Sequence, residues 1–201
     1  MEKNIVYIAL FAGLIAALGL LPKLTLVSGI PITAQSLGVM LCGVILGSKR
    51  GALAVLLFLS LVALGLPLLA GGRGGLGVFT TPWAGFLFGF PIAAFTTGYL
   101  MEKFRNMPIN YVASISSIFG SIIVLYTIAI PYYMIAAKMD FISSLVIMSP
   151  FIPGDIIKCI LAGFIANGIY KSRPNSILSW AQTRLSETIT SPKDSGGCAL
   201  K

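Results

Sequence analysis

Residues 111–137 read YVASISSIFGSIIVLYTIAIPYYMIAA, an uncharged run of 27 residues. Apolar and polar residues do not alternate along it, so it is not a barrel strand, which would need about 10 residues facing lipid and lumen in turn. In hydrocarbon no backbone N–H or C=O can be left unpaired, and a helix satisfies all of them within the segment. A helix of about 20 residues crosses the roughly 30 Å apolar core. This run is longer than that. Pro131 removes a backbone donor near its end, so its last turns are expected to leave the bilayer.

Five further apolar runs have similar character. Together the expected spans are 4–21, 32–47, 52–69, 82–101, 111–137 and 151–170. The fold class is therefore an all-α integral membrane protein, a bundle of six transmembrane helices. Pro91 falls inside the fourth span and is expected to kink it. Composition agrees. Hydrophobic residues make up 57% of the 201-residue chain and charged residues only 10%, against about 25% charged in soluble domains. The mean hydropathy is +0.95. Too few charges remain to cover a water-facing surface.

Lys and Arg near the span ends set the orientation. Lys3, Lys49, Arg50, Lys103, Arg105, Lys171 and Arg173 gather on one side; Lys23, Arg73 and Lys138 lie on the other. The richer side is expected to be cytoplasmic, and an even span count puts both termini there. Much of the +8 net charge is thus topological, and no nucleic-acid partner is needed to explain it. No clean cleavage site follows the first run, which reads as a retained span. The expected organisation is a membrane domain over 1–174 and a polar, disordered cytoplasmic tail over 175–201. A short interfacial helix around 177–185, anchored by Trp180, is compatible with that tail.

Cys42 and Cys159 lie in apolar spans and read as packing residues; Cys198 lies in the tail. No pair has metal-ligand spacing, and the chain contains no histidine. The terminal CALK is a poor prenylation box because Lys is an unusual last residue there.

The loop between the third and fourth spans reads AGGRGGLG at 70–77. Its glycines have G-x-G-x-x-G spacing, but a dinucleotide fingerprint needs a preceding strand and an acid about 20 residues on. Here a membrane span precedes, and no acid follows before Glu102. The loop also falls on the outer face. Its glycines allow sharp turns and close backbone approach to a ligand. Arg73 offers planar donors suited to a carboxylate; lipid headgroups are its alternative partner.

The sixth span opens as SPFIPGDIIKCILAGFIA. Asp155 and Lys158 stand at i and i+3, on one helix face. Charges this deep face a bundle interior or a cavity. Either they form a mutual salt bridge that locks the span, or they hold a polar ligand, with Asp155 accepting and Lys158 donating hydrogen bonds. Gln35, in PITAQS, suits the same pocket or an interhelical hydrogen bond. Phe79, Trp83 and Phe86 suit a cavity wall or an interfacial aromatic belt.

In the first span, IALFAGLIAALG, Ala9, Gly13 and Ala17 recur every four residues, as do Ala12 and Ala16. Such small residues let another helix approach closely, either within the bundle or on a separate membrane protein.

GGRGGLGVFTTPWAGFLFGFPIAA, at 71–94, resembles the glycine-rich stretch of the BioY family, and PGDIIKCILA resembles that family's C-terminal helix motif. The similarity covers nearly all of 1–170. It implies a six-helix substrate-binding subunit, or S-component, of an energy-coupling factor transporter. Such a subunit captures biotin from outside and delivers it inward. The implied partners are a transmembrane coupling protein and two cytoplasmic ATPase subunits; the implied location is a prokaryotic cell membrane. Arg73, Asp155 and Lys158 stand where the family's charged ligand-binding residues fall. Ala9, Ala12, Gly13, Ala16 and Ala17 stand where its docking motif falls. Trp83-Ala84 departs from the smaller residues more usual there. Biotin is then the transported ligand, with no cofactor and no metal. Asp155 would accept a ureido N–H. Lys158 and Arg73 would serve the ureido C=O and the valerate carboxylate, in either assignment.

The rival readings are an S-component for another small vitamin or organic anion and a stand-alone secondary carrier. Against the carrier, inverted repeats and paired broken helices are lacking. An enzyme is not expected: no G-x-S-x-G, no metal cluster and no nucleophile beside Asp155 and Lys158 complete a constellation.

Overall fold

The computed structural model describes residues 2–21, 24–25, 31–173 and 176–180. Lys23, Cys198 and the tail beyond residue 180 lie outside the described residues. Helix α1 (Glu2–Gly19) leads to a two-residue hairpin, β1 (Leu24–Thr25) antiparallel to β2 (Pro31–Ile32). Helix α2 (Gln35–Leu41) runs on through a π-helical stretch, Cys42–Leu46. After Gly47 comes α3 (Ser48–Ala63), and after a long loop α4 (Ala84–Lys103). Helix α5 (Ile109–Ile118), the π-helical Phe119–Val124 and α6 (Leu125–Ala137) form one continuous rod. Short α7 (Phe141–Met148) and long α8 (Phe151–Ser172) complete the bundle. Asp140 caps α7, its carboxylate accepting the Ser143 N–H at 3.1 Å.

Among the described residues three helical stretches are long and apolar enough to cross a membrane: Ala84–Lys103, Ile109–Ala137 and Phe151–Ser172. Asn4–Gly19 and Gln35–Leu46 are shorter apolar helices. Large apolar side chains lie exposed around the bundle, among them Leu10, Leu53, Ile92, Ile123, Ile157 and Phe164. Such a surface suits lipid and not water.

The third span departs most from the sequence expectation. The third helix begins at Ser48 and ends at Ala63, not at 52 and 69. Lys49 and Arg50 sit in its first turn, where long stems let charged heads reach the interface. Residues 64–70 are apolar but not helical. Gly65, at φ 101°, turns the chain, and Leu69 and Ala70 are buried. Hydropathy cannot tell an apolar loop from a helix. At Pro91 and Pro131 the helices continue.

Helix α4 is central and packs against α3, α5 and α6; α5 packs along α8, and α1 against α2 and α3. In lipid, helix association depends on close packing more than on the hydrophobic effect. Helix α4 accordingly turns Gly85, Gly89, Ala93, Ala94 and Gly98 inward. A methyl on Gly98 would collide with the backbone of Gly47 and Ser48. Gly98→Ala should therefore destabilise the fold by about 1–3 kcal/mol, the usual scale of overpacking. A thermal melt in detergent reads this; an unchanged midpoint would contradict the crossing described.

The break between α2 and α3 leaves backbone groups to satisfy. The Ser48 N–H and hydroxyl both donate to the Glu102 carboxylate, each at 2.9 Å. The carboxylate also suits the positive end of α3. Residues 176–180 return to this same corner. Ile177 is fully buried in the core, and the Ser179 hydroxyl donates to the Val44 carbonyl.

Candidate ligand pocket

One end of the bundle encloses a cavity of about 450 Å³, within the usual range for small-molecule sites. Six parts of the chain meet around it: the start of α2, the loop 64–83, the first half of α4, the middle of the α5–α6 rod, the end of α7 and the start of α8.

Helix α8 supplies the charges. The Lys158 Nζ lies 3.0 Å from Asp155 Oδ1. Lys158 also donates to the Ser36 Oγ at 2.8 Å. The Ser36 hydroxyl is 3.4 Å from Asp155 Oδ1. The Tyr126 hydroxyl donates to Asp155 Oδ2 at 2.8 Å. The acid, the cation and two hydroxyls thus form one network across α2, α6 and α8. Asp155 is only 7% exposed, so its charge is tolerable because all these donors converge on it. Asp155 and Lys158 are ion-paired, and both line the cavity.

Arg73 lines the cavity from the loop but is exposed, which sets it at the mouth. Its Nε reaches the Ala70 carbonyl at 3.4 Å. The loop is folded for this. Leu69 and Arg73 pair their backbones, with the Leu69 N–H 3.0 Å from the Arg73 carbonyl. Gly71 and Gly72 between them have φ of 85° and 69°, conformations that L side chains rarely adopt.

Gln35 borders the cavity, yet its amide serves the loop. Its Nε2 donates to the Leu68 carbonyl at 2.9 Å, and its Oε1 accepts the Ala70 N–H at 2.9 Å. These bonds hold the Arg73 loop on α2, while the Nε2 also lies 3.5 Å from the Ile15 carbonyl of α1. Trp83 lines the cavity with Phe86 and Phe151. The Trp83–Phe151 ring centroids are 5.9 Å apart and the Phe86–Tyr126 centroids 5.6 Å. Phe79 is not among the lining residues. Its ring packs on Phe88 at 5.8 Å and its carbonyl accepts the Tyr132 hydroxyl at 3.1 Å.

Sequence reasoning did not single out Ser36 or Tyr126. A signal existed for Tyr126: a phenol in an uncharged run must find a partner when buried. The docking candidates divide. Ala9, Gly13 and Ala17 face outward, whereas Ala12 is buried at 2% and Ala16 is partly buried.

Residues 2–175 match the BioY family. The chain belongs to the BioY family. The match spans every element from α1 to α8. A protein of Rhodobacter capsulatus named biotin transporter BioY is 48% identical over 188 residues, covering 89% of this chain and 99% of that one. Its namesake in Rhizobium etli is 47% identical over 178 residues, covering 86% and 95%. A solved structure, described as the S-component for biotin from an ECF-type ABC transporter, matches with a TM-score of 0.78 at 29% identity. It covers 85% of this chain and 92% of that chain. With helices able to cross a bilayer, this BioY-family chain is a prokaryotic membrane protein.

Proposed function

We propose that this chain is a biotin-binding S-component that takes up biotin, and not an enzyme. The observation that carries this reading is the charge layout of the cavity. A buried carboxylate and a part-buried ammonium, joined by two hydroxyls, occupy the enclosed wall; an exposed guanidinium stands at the mouth. Apolar and aromatic surface lies between.

A ureido ring carries N–H donors and a carbonyl acceptor, and it is neutral. Asp155 accepts an N–H, and Lys158 or Tyr126 donates to the carbonyl. Two cations against one carboxylate leave the pocket at +1, which suits a monoanion such as the valerate carboxylate. Trp83, Phe86 and Phe151 provide apolar surface for the bicyclic ring. The ligand relationship fits the relatives named biotin transporter BioY.

The six helical stretches serve as spans, with both termini cytoplasmic and the cavity opening outward across the cell membrane. The basic excess at Lys49, Arg50, Lys103, Arg105, Lys171 and Arg173 supports that orientation. Energy for uptake comes from a transmembrane coupling protein and two cytoplasmic ATPases. No cofactor is involved in binding.

Calorimetry on the detergent-purified protein tests the reading. Saturable biotin binding is expected, weakened about fivefold by Arg73→Ala, the upper scale of an exposed ion pair. No binding by a folded wild type overturns the assignment; binding of another vitamin acid instead would redirect it within the same architecture.

A further inference from the structure

Residues 176–180 form a strap that reaches the α2–α3 corner. Helix α2 ends irregularly there. To continue the helix, the Ser48 N–H would bond the Val44 carbonyl. That N–H goes to Glu102 instead, at 2.9 Å. Val44 is fully buried, so its carbonyl has no access to water. The Ser179 hydroxyl supplies the donor. Ser179 itself is 1% exposed, and Ile177 beside it is fully buried. A methyl added at Gly47 would stand 3.5 Å from the Ser179 Cα. The strap is therefore packed into the corner and not merely laid across it.

The strap follows directly on α8, and Val44 belongs to the continuation of α2. These two helices carry the polar network of the pocket at their other ends. Ser36 lies on the first turn of α2, and Asp155 and Lys158 near the start of α8. Eight residues separate Ser36 from Val44, about 12 Å of helix at 1.5 Å per residue. The pair α2 and α8 is thus pinned twice: at the pocket by the Lys158–Ser36 bond of 2.8 Å, and at the opposite end by Ser179.

We propose that Ser179 is a positioning residue for the pocket: by holding Val44 it fixes α2 against α8, and so sets Ser36 relative to Asp155 and Lys158. Release of the strap loosens the pocket from the far end of the bundle. This rests on the reading of the cavity as the biotin site. Coupling runs both ways by linkage: ligand in the pocket tightens the Val44 corner.

Three proteins test it: wild type, Ser179→Ala and Ser179→Thr, the last keeping the hydroxyl. Biotin affinity is read by calorimetry, and amide exchange over 35–46 by mass spectrometry with and without biotin. Ser179→Ala is expected to weaken biotin binding about five- to tenfold, within the range for coupling residues that touch no ligand. Thr is expected to restore it. Biotin should slow exchange at 42–46 in wild type and lose that effect in the Ala variant. A folded Ala variant with wild-type affinity overturns the proposal, even if its exchange is faster, because the strap is then only structural. Wild type that binds no biotin removes the functional reading itself, and the strap role with it.

Discussion

Replacing Asp155 by Ala is expected to weaken biotin binding at least about a hundredfold. The carboxylate accepts from Tyr126 at 2.8 Å and pairs with Lys158 at 3.0 Å. Its removal has three consequences. The ligand loses an ionised acceptor, and hydrogen bonds to charged groups contribute about 1.5–3 kcal/mol. Lys158 loses its counter-charge inside a mostly apolar wall. The Tyr126 hydroxyl, in a residue 6% exposed, loses its acceptor. A hundredfold change in affinity corresponds to about 2.7 kcal/mol, so the first effect alone nearly reaches it. Asp155→Asn separates shape from charge. Its amide oxygen still accepts from Tyr126, and it should fall between wild type and Ala. Calorimetry with biotin reads all three proteins. An Ala variant within threefold of wild type would move the site away from α8.

That network was half legible in the sequence. Asp155 and Lys158 stand out because ionisable residues are rare in apolar spans and costly there. Their i, i+3 spacing puts them on one helix face without any structure. Arg73 stands out as the charge of a glycine-rich loop. Ser36 and Tyr126 do not, because neither residue type is unusual in a membrane helix. Only the crossing of α2, α6 and α8 makes them partners. Gln35 was legible as a polar residue in the right place, but a side-chain amide serves a backbone as readily as a ligand. Its partners, Leu68 and Ala70, are 33 and 35 residues away. Phe79 and Trp83 lie four residues apart on one turn of chain, and only one faces the cavity. A short irregular stretch has no period from which its facing can be read.

The helices were legible for a different reason. Lipid permits few alternatives for an apolar backbone, so run length alone predicts α4, the α5–α6 rod and α8. The same rule overextends the third span, because residues 64–70 are apolar without being helical, and of them only Leu69 and Ala70 line the cavity. The burial of the strap was not legible, although a short helix near Trp180 was. SRPNSILSW has the composition of a linker, yet Ile177 and Ser179 are buried in the core and Leu178 and Trp180 pack against it.

Gly13→Leu is expected to leave biotin binding within about twofold of wild type while reducing energised uptake at least tenfold. Small residues every four positions form two ridges on α1, and the structure separates them. Ala12 and Ala16 turn toward the bundle, with Phe11 and Ile15 buried beside them. Ala9, Gly13 and Ala17 face outward. A methyl added at Gly13 meets nothing within 4 Å, so a larger side chain there leaves the fold and the pocket intact. What it removes is the smooth ridge along which a second helix could approach closely. If the proposed coupling protein docks on this ridge, Leu at Gly13 holds it away. The cells used for uptake must therefore carry the coupling protein and both ATPases, and a pull-down of the coupling protein should weaken in parallel. Ala12→Leu is the contrasting variant. It overpacks a buried position, so it should lower the melting temperature first and affect binding and uptake together. Uptake that survives Gly13→Leu would place docking on another face of the bundle, while loss of binding in that variant would mean that α1 supports the pocket and not the partner.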